Sequence, residues 1–247
     1  MSGLAWQVGT VVSITTETPH AKSFTLSLPQ WHRHRAGQHY TLRLTAPDGY
    51  QAQRSYSIAS PPEQTGEVAF TVELIEEGEV SGYLFDGVQV GDQLEVRGPI
   101  GGYFVWDATP QAGPLLLVAG GSGVVPLMCM LRHRQRSGLR NPTVLLYSVR
   151  TPEEVIYQQE LLAMAQADPS FSLVLTYTRQ SPAGWTGNQR RLDAAMLQEA
   201  VGQLPTSPQC FICGPTGLVE SAATLLAQHL QVPTAAIHTE RFGPSGT

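Results

Sequence analysis

The sequence is poor in the residues that mark several large classes of protein. Its 247 residues include only three cysteines, Cys129, Cys210 and Cys213, an odd number that does not make a disulfide framework and indicates a reducing, cytoplasmic setting. Lys and Arg total 15 against 20 Asp and Glu, so the net charge of −5 lacks the basic excess needed to bind nucleic-acid phosphates. No opening segment has the charged, apolar and small-residue order of an export signal. We therefore expect a cytoplasmic globular protein that does not bind nucleic acid.

One stretch lacks charge altogether and is nearly long enough to cross a bilayer. It runs from Gly113 to Leu131 and contains four glycines and two prolines, which would break a helix exposed to lipid. We predict no membrane span here, but a strand at Leu115–Ala119, a glycine loop and the start of a helix.

The two halves of the chain have different patterns. Apolar and polar residues alternate with period two in several short segments of the first half, which predicts an antiparallel barrel. The second half alternates buried strands with helices, which predicts a parallel, doubly wound sheet. The predicted strands are Ser23–Leu28, Tyr40–Thr45, Ser55–Ile58, Glu67–Ile75 and Gln93–Arg97, then Leu115–Ala119, Thr143–Ser148, Ser172–Tyr177 and Cys210–Cys213. The predicted helices cover Val125–Arg136, Leu192–Leu204 and Thr216–Leu230, with a further one capped by a Thr151 and Glu154 capping box. We place the two domains at residues 1–108 and 109–247.

A glycine-rich loop follows the first strand of the second half directly. Gly121, Gly123 and Pro126 form a G-x-G-x-x-P pattern that includes Val124 and leads into the predicted helix. Glycines let the backbone approach a pyrophosphate closely, and the free amides of a helix start attract its charge. The loop predicts a dinucleotide site, although the same glycines would also serve a tight turn that binds nothing.

Arginines rather than acids follow the next two strands. A strand that holds the ribose 2′-hydroxyl of NAD commonly ends in Asp or Glu, but here the strand ends carry Ser148 with Arg150, and Thr178 with Arg179. Guanidinium groups bind a phosphate through paired, charge-assisted hydrogen bonds. The pattern favours NADPH over NADH, with ordinary solvated arginines as the alternative.

Six short motifs occur in a consistent order along the chain. They are Gly37-Gln38-His39-Tyr40, Arg54-Ser55-Tyr56-Ser57, Gly78 to Leu84, Gly98 to Phe104, Cys213-Gly214-Pro215 and Glu240-Arg241-Phe242. Together they resemble the ferredoxin–NADP reductase family over essentially the whole chain. The resemblance implies an FAD-binding six-stranded barrel followed by an NAD(P)-binding domain, and hydride transfer from NAD(P)H to the flavin.

The resemblance also implies roles for particular residues. On the flavin side, Arg54 would pair with a phosphate, Tyr56 would stack on the isoalloxazine and Ser57 would hydrogen-bond near N5. The remaining implied flavin contacts are His39, the amides of Val80, Ser81 and Gly82, and Phe242 as a cover for the ring. On the nicotinamide side, Cys213 and Glu240 would line the pocket, and Gly214 and Pro215 would complete that dinucleotide site. A phosphate turn at a helix start suggests FAD rather than FMN.

The acceptor of the electrons stays open at this point. Three cysteines cannot ligate a plant-type iron–sulfur cluster, so we expect a separate acceptor protein, such as a ferredoxin, a haem protein or a molybdenum protein. A reductase of free flavin or another small molecule is the first alternative, and a non-catalytic nucleotide-binding module is the second. Cys210 and Cys213 have the spacing of a metal knuckle but no second pair, so no metal is expected.

Two further features have more than one interpretation. The segment Trp31–Arg35 is either a basic docking patch or, as we prefer, a solvated loop. Trp185 either contacts the adenosine or holds a loop in place.

Overall fold

The computed structural model describes residues 4–242, and the backbone contacts divide the chain into two units. The first unit extends to Asp107 and also includes Met128–Arg136, and the second consists of Ala108–Leu127 and the chain from Ser137 onwards. The domain limits 1–108 and 109–247 stay a prediction. The tail beyond Phe242 lies outside the described residues.

The first unit is built on a six-stranded antiparallel sheet with one helix. Its strands follow the spatial order β4-β3-β6-β1-β2-β5, and Ile58, just after β4, bridges to Phe70 in β5 and closes the sheet on itself. The elements are β1 Gln7–Thr18, β2 Ala21–Ser27, β3 His39–Thr45, β4 Gln51–Ser57, β5 Glu67–Glu73, α1 Glu79–Asp86 and β6 Gln93–Ile100. The predicted antiparallel barrel is confirmed.

The longest strand of the barrel was not predicted. In β1 the pairing with β2 shifts register between Val11 and Ser13 and again between Thr16 and Thr18. Each shift interrupts the alternation of buried and exposed side chains: Val12 and Ser13 are both exposed, and so are Thr15 and Thr16. The strand therefore has no clean period-two signal.

The barrel core packs tightly against the strands that carry the flavin motifs. Tyr40 is buried and meets Phe70 edge to face, with ring centroids 5.7 Å apart. A Cβ atom at Gly98 would lie 2.5 Å from the Tyr40 ring, so only glycine fits at this position of β6. Tyr40 pairs across the sheet with Tyr56 of β4, and its packing therefore fixes the register of the Arg54–Ser57 motif against β3.

The second unit is a five-stranded parallel sheet with helices, as predicted. Its strands follow the order β11-β10-β7-β8-β9, and each pair is parallel. The elements of this part of the chain are β7 Leu115–Gly120, α2 Val124–Arg136, β8 Thr143–Val149, α3 Gln158–Ala167, β9 Phe171–Tyr177, α4 Ala194–Gly202, β10 Gln209–Gly214, α5 Thr216–Thr224 and β11 Ile237–Arg241. Of these, α2 begins in the second unit, and its residues Met128–Arg136 are grouped with the first. The uncharged stretch Gly113–Leu131 thus forms a strand, a turn and a helix. Among residues 4–242, no helix has both the length and the apolar character needed to cross a membrane.

Two helix predictions in the second unit were wrong in detail. Thr151 makes no capping hydrogen bond with its side chain; residues Pro152–Glu154 form a single 3₁₀ turn, and α3 begins only at Gln158. A hydrogen bond from Thr151 lowers the pKa of Glu153 instead. After α5 the chain continues as a π-turn over Leu225–His229 rather than as one regular helix to Leu230.

The segment Trp31–Arg35 is an irregular loop in which His32, Arg33 and Arg35 are exposed, as in the solvated loop that we preferred, while His34 is buried. His34 is only 2% exposed, and its Nε2 donates to the carbonyl of Ser60 at 2.9 Å. Arg33 pairs with Glu63 and Arg35 pairs with Asp107. The basic residues are therefore neutralised within the first unit, which a local pattern of charge could not reveal because both acids are distant in sequence.

Candidate functional site

The carboxyl edge of the parallel sheet carries the predicted dinucleotide residues in a definite order. β7 has β8 on one side and β10 on the other, so the direction of the strand order changes beside β7. Open α/β sheets bind ligands outside the carboxyl ends of the strands at such a switch point. The glycine loop follows β7 at this point, and Cys213-Gly214-Pro215 ends the neighbouring strand β10.

The glycines of the loop are required by the close approach of two backbones. A Cβ atom at Gly123 would lie 2.1 Å from the carbonyl oxygen of Cys213, and one at Gly214 would lie 3.1 Å from the amide nitrogen of Gly120. Gly121 has φ +53°, a left-handed conformation that favours glycine. Gly120, which our prediction of the site omitted, has no room for a Cβ beside Pro215 and Leu218. The run of glycines in the sequence was the signal that could have identified it.

The loop leads directly into α2, which begins at Val124 and has Pro126 in its first turn. The first amides of a helix have no hydrogen-bond partner within the helix. A proline in the first turn, which lacks an amide hydrogen, therefore removes no hydrogen bond of the helix. The amide of Val124 already donates to the carbonyls of Gly121 and Ser122, so the donors left for an anion at this end of the helix belong to the glycine loop.

The two arginines predicted to hold a 2′-phosphate lie side by side at the ends of β8 and β9. The amide of Arg179 donates to the carbonyl of Arg150 at 3.0 Å, and Thr178 donates to Val149 through both its amide and its hydroxyl. Both arginine side chains are exposed, and within residues 4–242 neither has an ion-pair partner. Ser148, the neighbour of Gly120 across the sheet, is buried next to them. The structure therefore places two exposed arginines, joined through their backbones, at this corner of the sheet edge.

Cys213 and Glu240 lie together at the other side of the switch point. They are register partners on the parallel strands β10 and β11, with the Cys213 Sγ 3.9 Å from Glu240 Oε2. Burial raises the pKa of Glu240 to about 7, against a smaller lowering by the Cys213 thiol. Burial and the neighbouring carboxylate raise the pKa of Cys213 well above its ordinary value. The thiol is therefore protonated at neutral pH, while the carboxyl exchanges its proton near neutrality.

The raised pKa of Glu240 predicts a dependence of stability on pH. Because the folded state holds this proton up to about pH 7 while the unfolded chain releases it near 4.5, unfolding becomes easier as pH rises through that interval. Relative to a Glu240→Gln variant, the free energy of unfolding of the natural protein should fall by up to about 3 kcal/mol between pH of about 5 and about 8. Urea unfolding at the two pH values measures this difference. Glu220→Gln, at an exposed acid, is the control, and parallel pH profiles of the natural protein and Glu240→Gln would contradict the assignment.

The flavin motif lies on β4, which is at one edge of the sheet order. Arg54 and Tyr56 pair with Leu42 and Tyr40 of β3 and lie on the same face of the sheet. The two β3 residues are buried, whereas Arg54 is exposed and Tyr56 is half-buried. Arg54 Nη1 donates only to the carbonyl of Gln53, at 2.7 Å, and within the described part of the chain this residue has no ion pair. A cation without a counter-ion therefore extends from the apolar face of the sheet, which suits a phosphate.

Ser57 and His39 are neighbours at the end of the same hairpin. They are register partners on β4 and β3, and both are half-buried. Burial lowers the pKa of His39, which favours a neutral imidazole. Burial also raises the pKa of Tyr56 to about 12, so its phenol stays protonated and can stack as a neutral ring.

The predicted phosphate turn is the start of α1. Gly78 precedes the helix in an extended conformation, and the Ser81 hydroxyl accepts from the amide of Ile75 and donates to the carbonyl of Gly78. The amide of Gly82 donates to the Gly78 carbonyl at 2.7 Å. Since this amide is already used within the helix, Val80 and Ser81 are the better candidates for donating to a phosphate.

Phe242 and Trp185 have defined positions in the second unit. The amide of Phe242 donates to the carbonyl of Gly214 at 3.3 Å, which ties the residue after β11 to the end of β10. Trp185 Nε1 donates to the carbonyl of Asn188, and its ring meets Tyr177 edge to face at 5.0 Å. Trp185 therefore holds the loop after β9. No group of three or more His, Cys, Asp or Glu suited to a metal occurs within residues 4–242.

Comparison with known proteins agrees with this arrangement. Residues 9–105 match the Oxidoreductase FAD-binding domain family, and residues 117–224 match the Oxidoreductase NAD-binding domain family. Ferredoxin–NADP reductase B of Sorangium cellulosum is 34% identical over 211 residues, which are 84% of each chain. The chain belongs to the ferredoxin–NADP reductase family.

Other relatives of this chain are longer or share the fold alone. The glycine betaine monooxygenase reductase subunit of Chromohalobacter salexigens is 33% identical over 209 residues, 84% of this chain but 55% of that protein. The chain thus spans about half the length of such curated relatives. The flavohaem-like FAD/NAD-binding domain of Vibrio cholerae nitric oxide dioxygenase has the same fold, with a TM-score of 0.84 at 24% identity, over 96% of this chain and 99% of that one.

The side chains of this chain fit the two cofactors of its family. FAD and NADP both bring phosphates, and three of the arginines predicted to contact them, Arg54, Arg150 and Arg179, have no ion pair within the described residues. The glycines beside β7 and β10 allow a backbone approach that no other residue permits. The donor set therefore suits phosphate ligands in both units.

Proposed function

We propose that this reductase takes two electrons from NADPH into bound FAD and passes them to a separate protein acceptor. The observation that carries the proposal is the occurrence, in one chain, of a flavin motif and a sheet edge whose arginines, Arg54 in the first and Arg150 and Arg179 in the second, have no ion pair within residues 4–242. Bound flavin supplies the redox chemistry, since it accepts a hydride and releases electrons one at a time.

In this proposal, the barrel residues hold and orient the FAD. Arg54 binds a phosphate together with the amides of Val80 and Ser81 at the start of α1. Tyr56 stacks on the isoalloxazine as a neutral ring, and Ser57 donates near N5. Phe242 covers the ring, and His39, register partner of Ser57, contacts the same end of the cofactor.

The strand order of the second unit supports a matching order for the parts of NADPH. Glu240 and Cys213 on β11 and β10 face the nicotinamide, the loop from Gly121 to Pro126 holds the pyrophosphate, and Gly214 and Pro215 flank it. Ser148, Arg150, Thr178 and Arg179, at the ends of β8 and β9, bind the adenosine ribose and its 2′-phosphate. The order of the strands along the carboxyl edge of the sheet, from β11 to β9, thus matches the order of the parts of the dinucleotide, from nicotinamide to adenosine.

The acceptor is proposed to be a ferredoxin, a haem protein or a molybdenum protein in the cytoplasm. Several relatives are named reductase subunits or components, including those of glycine betaine monooxygenase and phenol 2-monooxygenase. The three cysteines of this chain are all buried and too few for a plant-type cluster. The electrons therefore leave to a carrier outside these 247 residues.

A visible spectrum taken during anaerobic titration tests the proposal. Purified protein reconstituted with FAD should lose its flavin absorption when NADPH is added and regain it when an oxidised acceptor protein is added. Rapid steady turnover with free flavin alone would instead favour a small-molecule reductase. Protein that binds no flavin, or whose bound flavin neither NADPH nor NADH bleaches, would contradict the proposed activity.

The arginine pair predicts a loss that is selective for NADPH. Each charge-assisted contact to the 2′-phosphate contributes about 1.5–3 kcal/mol, so Arg150→Ala or Arg179→Ala should raise the KM for NADPH by roughly tenfold or more. The KM for NADH should stay nearly unchanged because NADH lacks that phosphate. Steady-state kinetics with both nucleotides measures the effect, with exposed Arg140→Ala as a control in the same unit. Equal losses for both nucleotides would remove the case for NADPH.

A further inference from the structure

The chain leaves the flavin strand β4 through two buried residues. Ala59 and Ser60 follow the Arg54–Ser57 motif, and each is only 1% exposed. Pro61 and Pro62 come next, and a proline has no amide hydrogen with which to continue the pairing of strands. A buried carbonyl that lacks a donor costs free energy, so the carbonyls of Ala59 and Ser60 need donors from elsewhere in the fold.

Three side chains from other segments supply those donors. Arg132 Nη1 donates to the carbonyl of Ala59 at 2.9 Å. The carbonyl of Ser60 accepts from His34 Nε2 at 2.9 Å and from Cys129 Sγ at 3.0 Å. Cys129 and Arg132 lie on the part of α2 that is grouped with the first unit, so all three contacts are made within that unit.

The thiol of Cys129 also contacts the segment that leads into β3. Its sulfur accepts a hydrogen bond from the amide of Gly37, and burial raises the pKa of the thiol to about 12. The thiol therefore keeps its proton and can donate to Ser60 while it accepts from Gly37. Beside it, the amide of Ile58 donates to the carbonyl of Gln38 at 2.9 Å. One buried sulfur atom thus joins the entry to β3 with the exit from β4.

This junction flanks the pair that is proposed to lie near flavin N5. His39 and Ser57 are register partners on β3 and β4. Each lies two residues, about 7 Å of strand, from a residue that α2 holds, Gly37 on one side and Ala59 on the other. Because β4 is at one edge of the sheet order, β3 is its only neighbour in that order, and the side chains of α2 supply the further support.

We propose that Cys129 and Arg132 are positioning residues that hold Ser57 in place for the reduction of the flavin. They act through the carbonyls of Ser60 and Ala59 and do not touch the cofactor themselves. The pattern of the sequence assigns both residues to the dinucleotide-binding half, so only the fold brings them to the flavin strand. The inference rests on the proposed function, because it assumes that Ser57 donates near N5.

Stopped-flow reduction of the FAD-loaded, full-length protein by NADPH tests the inference. Cys129→Ala and Arg132→Ala should each slow reduction at saturating NADPH by about tenfold, since a misplacement of about 1 Å can cost up to about 100-fold and two of the three donors remain. The KM for NADPH and the FAD content should stay near those of the natural protein. The visible absorption band of the bound FAD should shift, because the hydrogen bond near N5 is altered.

Conservative and control variants separate positioning from a loss of folding. Cys129→Ser keeps a group that both donates and accepts, so its reduction rate should stay within about twofold of the natural rate. Arg136→Ala removes an exposed arginine from the same helix and should change neither the rate nor the absorption band. Circular dichroism establishes that each variant is folded. If Cys129→Ala does not fold, Arg132→Ala decides, because Arg132 is only half-buried.

A double variant tests whether the effect passes through Ser57. Once the Ser57 hydroxyl is removed, its position no longer matters, so Cys129→Ala should slow the Ser57→Ala variant further by less than about twofold. Full multiplication of the two single effects would show that Cys129 does not act through Ser57 and would overturn the inference.

The outcomes also separate this inference from the proposed function. If NADPH reduces the natural protein but both alanine variants react at the natural rate, the positioning role is wrong and the function stands. If NADPH does not reduce the bound FAD of the natural protein, the proposed function fails, and the absorption band alone decides the inference: an unchanged band in both alanine variants rejects it. If the natural protein binds no flavin, both proposals fail.

Discussion

The Arg54→Ala variant is expected to purify with little or no FAD while its barrel stays folded. Arg54 has no ion pair within residues 4–242, so its removal leaves no carboxylate without a partner and costs the protein little stability. The lost contacts to a phosphate are charge-assisted, and a pair of them would weaken FAD binding by about 100-fold or more. Titration of the apoprotein with FAD, followed through flavin absorption, measures the loss.

Two further arginine variants sharpen this result. Arg54→Lys keeps the charge but not the two-pronged geometry, so its FAD affinity should lie between those of the natural protein and Arg54→Ala. Arg136→Ala removes an exposed arginine at the end of α2 and should bind FAD normally. Full FAD content in Arg54→Ala would show that this side chain does not hold the cofactor.

The second large effect is expected at Gly123, where one methyl group cannot fit. The added Cβ would lie 2.1 Å from the carbonyl oxygen of Cys213 and 2.8 Å from the amide nitrogen of Gly214. Both atoms are backbone, so the loop and the end of β10 must move apart. Because misplacement of a reacting group by about 1 Å can cost about 100-fold in rate, flavin reduction by NADPH should slow by about that factor in Gly123→Ala.

The same variant should leave the flavin side untouched. All barrel residues proposed for FAD lie in the first unit, so the FAD content of Gly123→Ala should equal that of the natural protein. Gly202→Ala is the matched control in the second unit, since a Cβ there meets nothing within 4 Å and alanine favours the helix. Stopped-flow reduction measures the rates, and a normal rate in Gly123→Ala would mean that the loop tolerates separation from β10.

Much of the fold followed from local patterns. Most of the predicted strands coincide with observed ones to within a few residues, because alternation and turn residues act over short distances. Strands β1 and β11 escaped prediction for different reasons. The bulges of β1 break its alternation of buried and exposed side chains. In contrast, β11 is a short and largely polar segment, Ile237–Arg241, which forms a strand because it pairs with β10.

The capping box shows the opposite error, a local signal that the tertiary structure overrides. Thr151, Pro152 and Glu154 have the residue types of a helix start, yet the chain makes a 3₁₀ turn and then passes through Tyr157 with φ +60°. Val155, Ile156 and Tyr157 are all buried, which accounts for the difference, because their packing sets the path of the chain before α3 can begin.

The sequence by itself determined the two-domain class and the strand, glycine loop and helix order of residues 113–131, and it predicted the residue types of both proposed cofactor sites, since each depends on neighbours within a few positions. Only the tertiary structure decided which of these residues meet. Strand pairing brings Glu240 beside Cys213 and the glycine loop against β10, although these segments are far apart in the chain. In the described part of the chain, long-range pairing also left Arg54, Arg150 and Arg179 without carboxylates, whereas it paired Arg33 with Glu63 and Arg35 with Asp107. Charge on a side chain is local, but whether that charge is free to bind a ligand depends on which distant acid the fold places beside it.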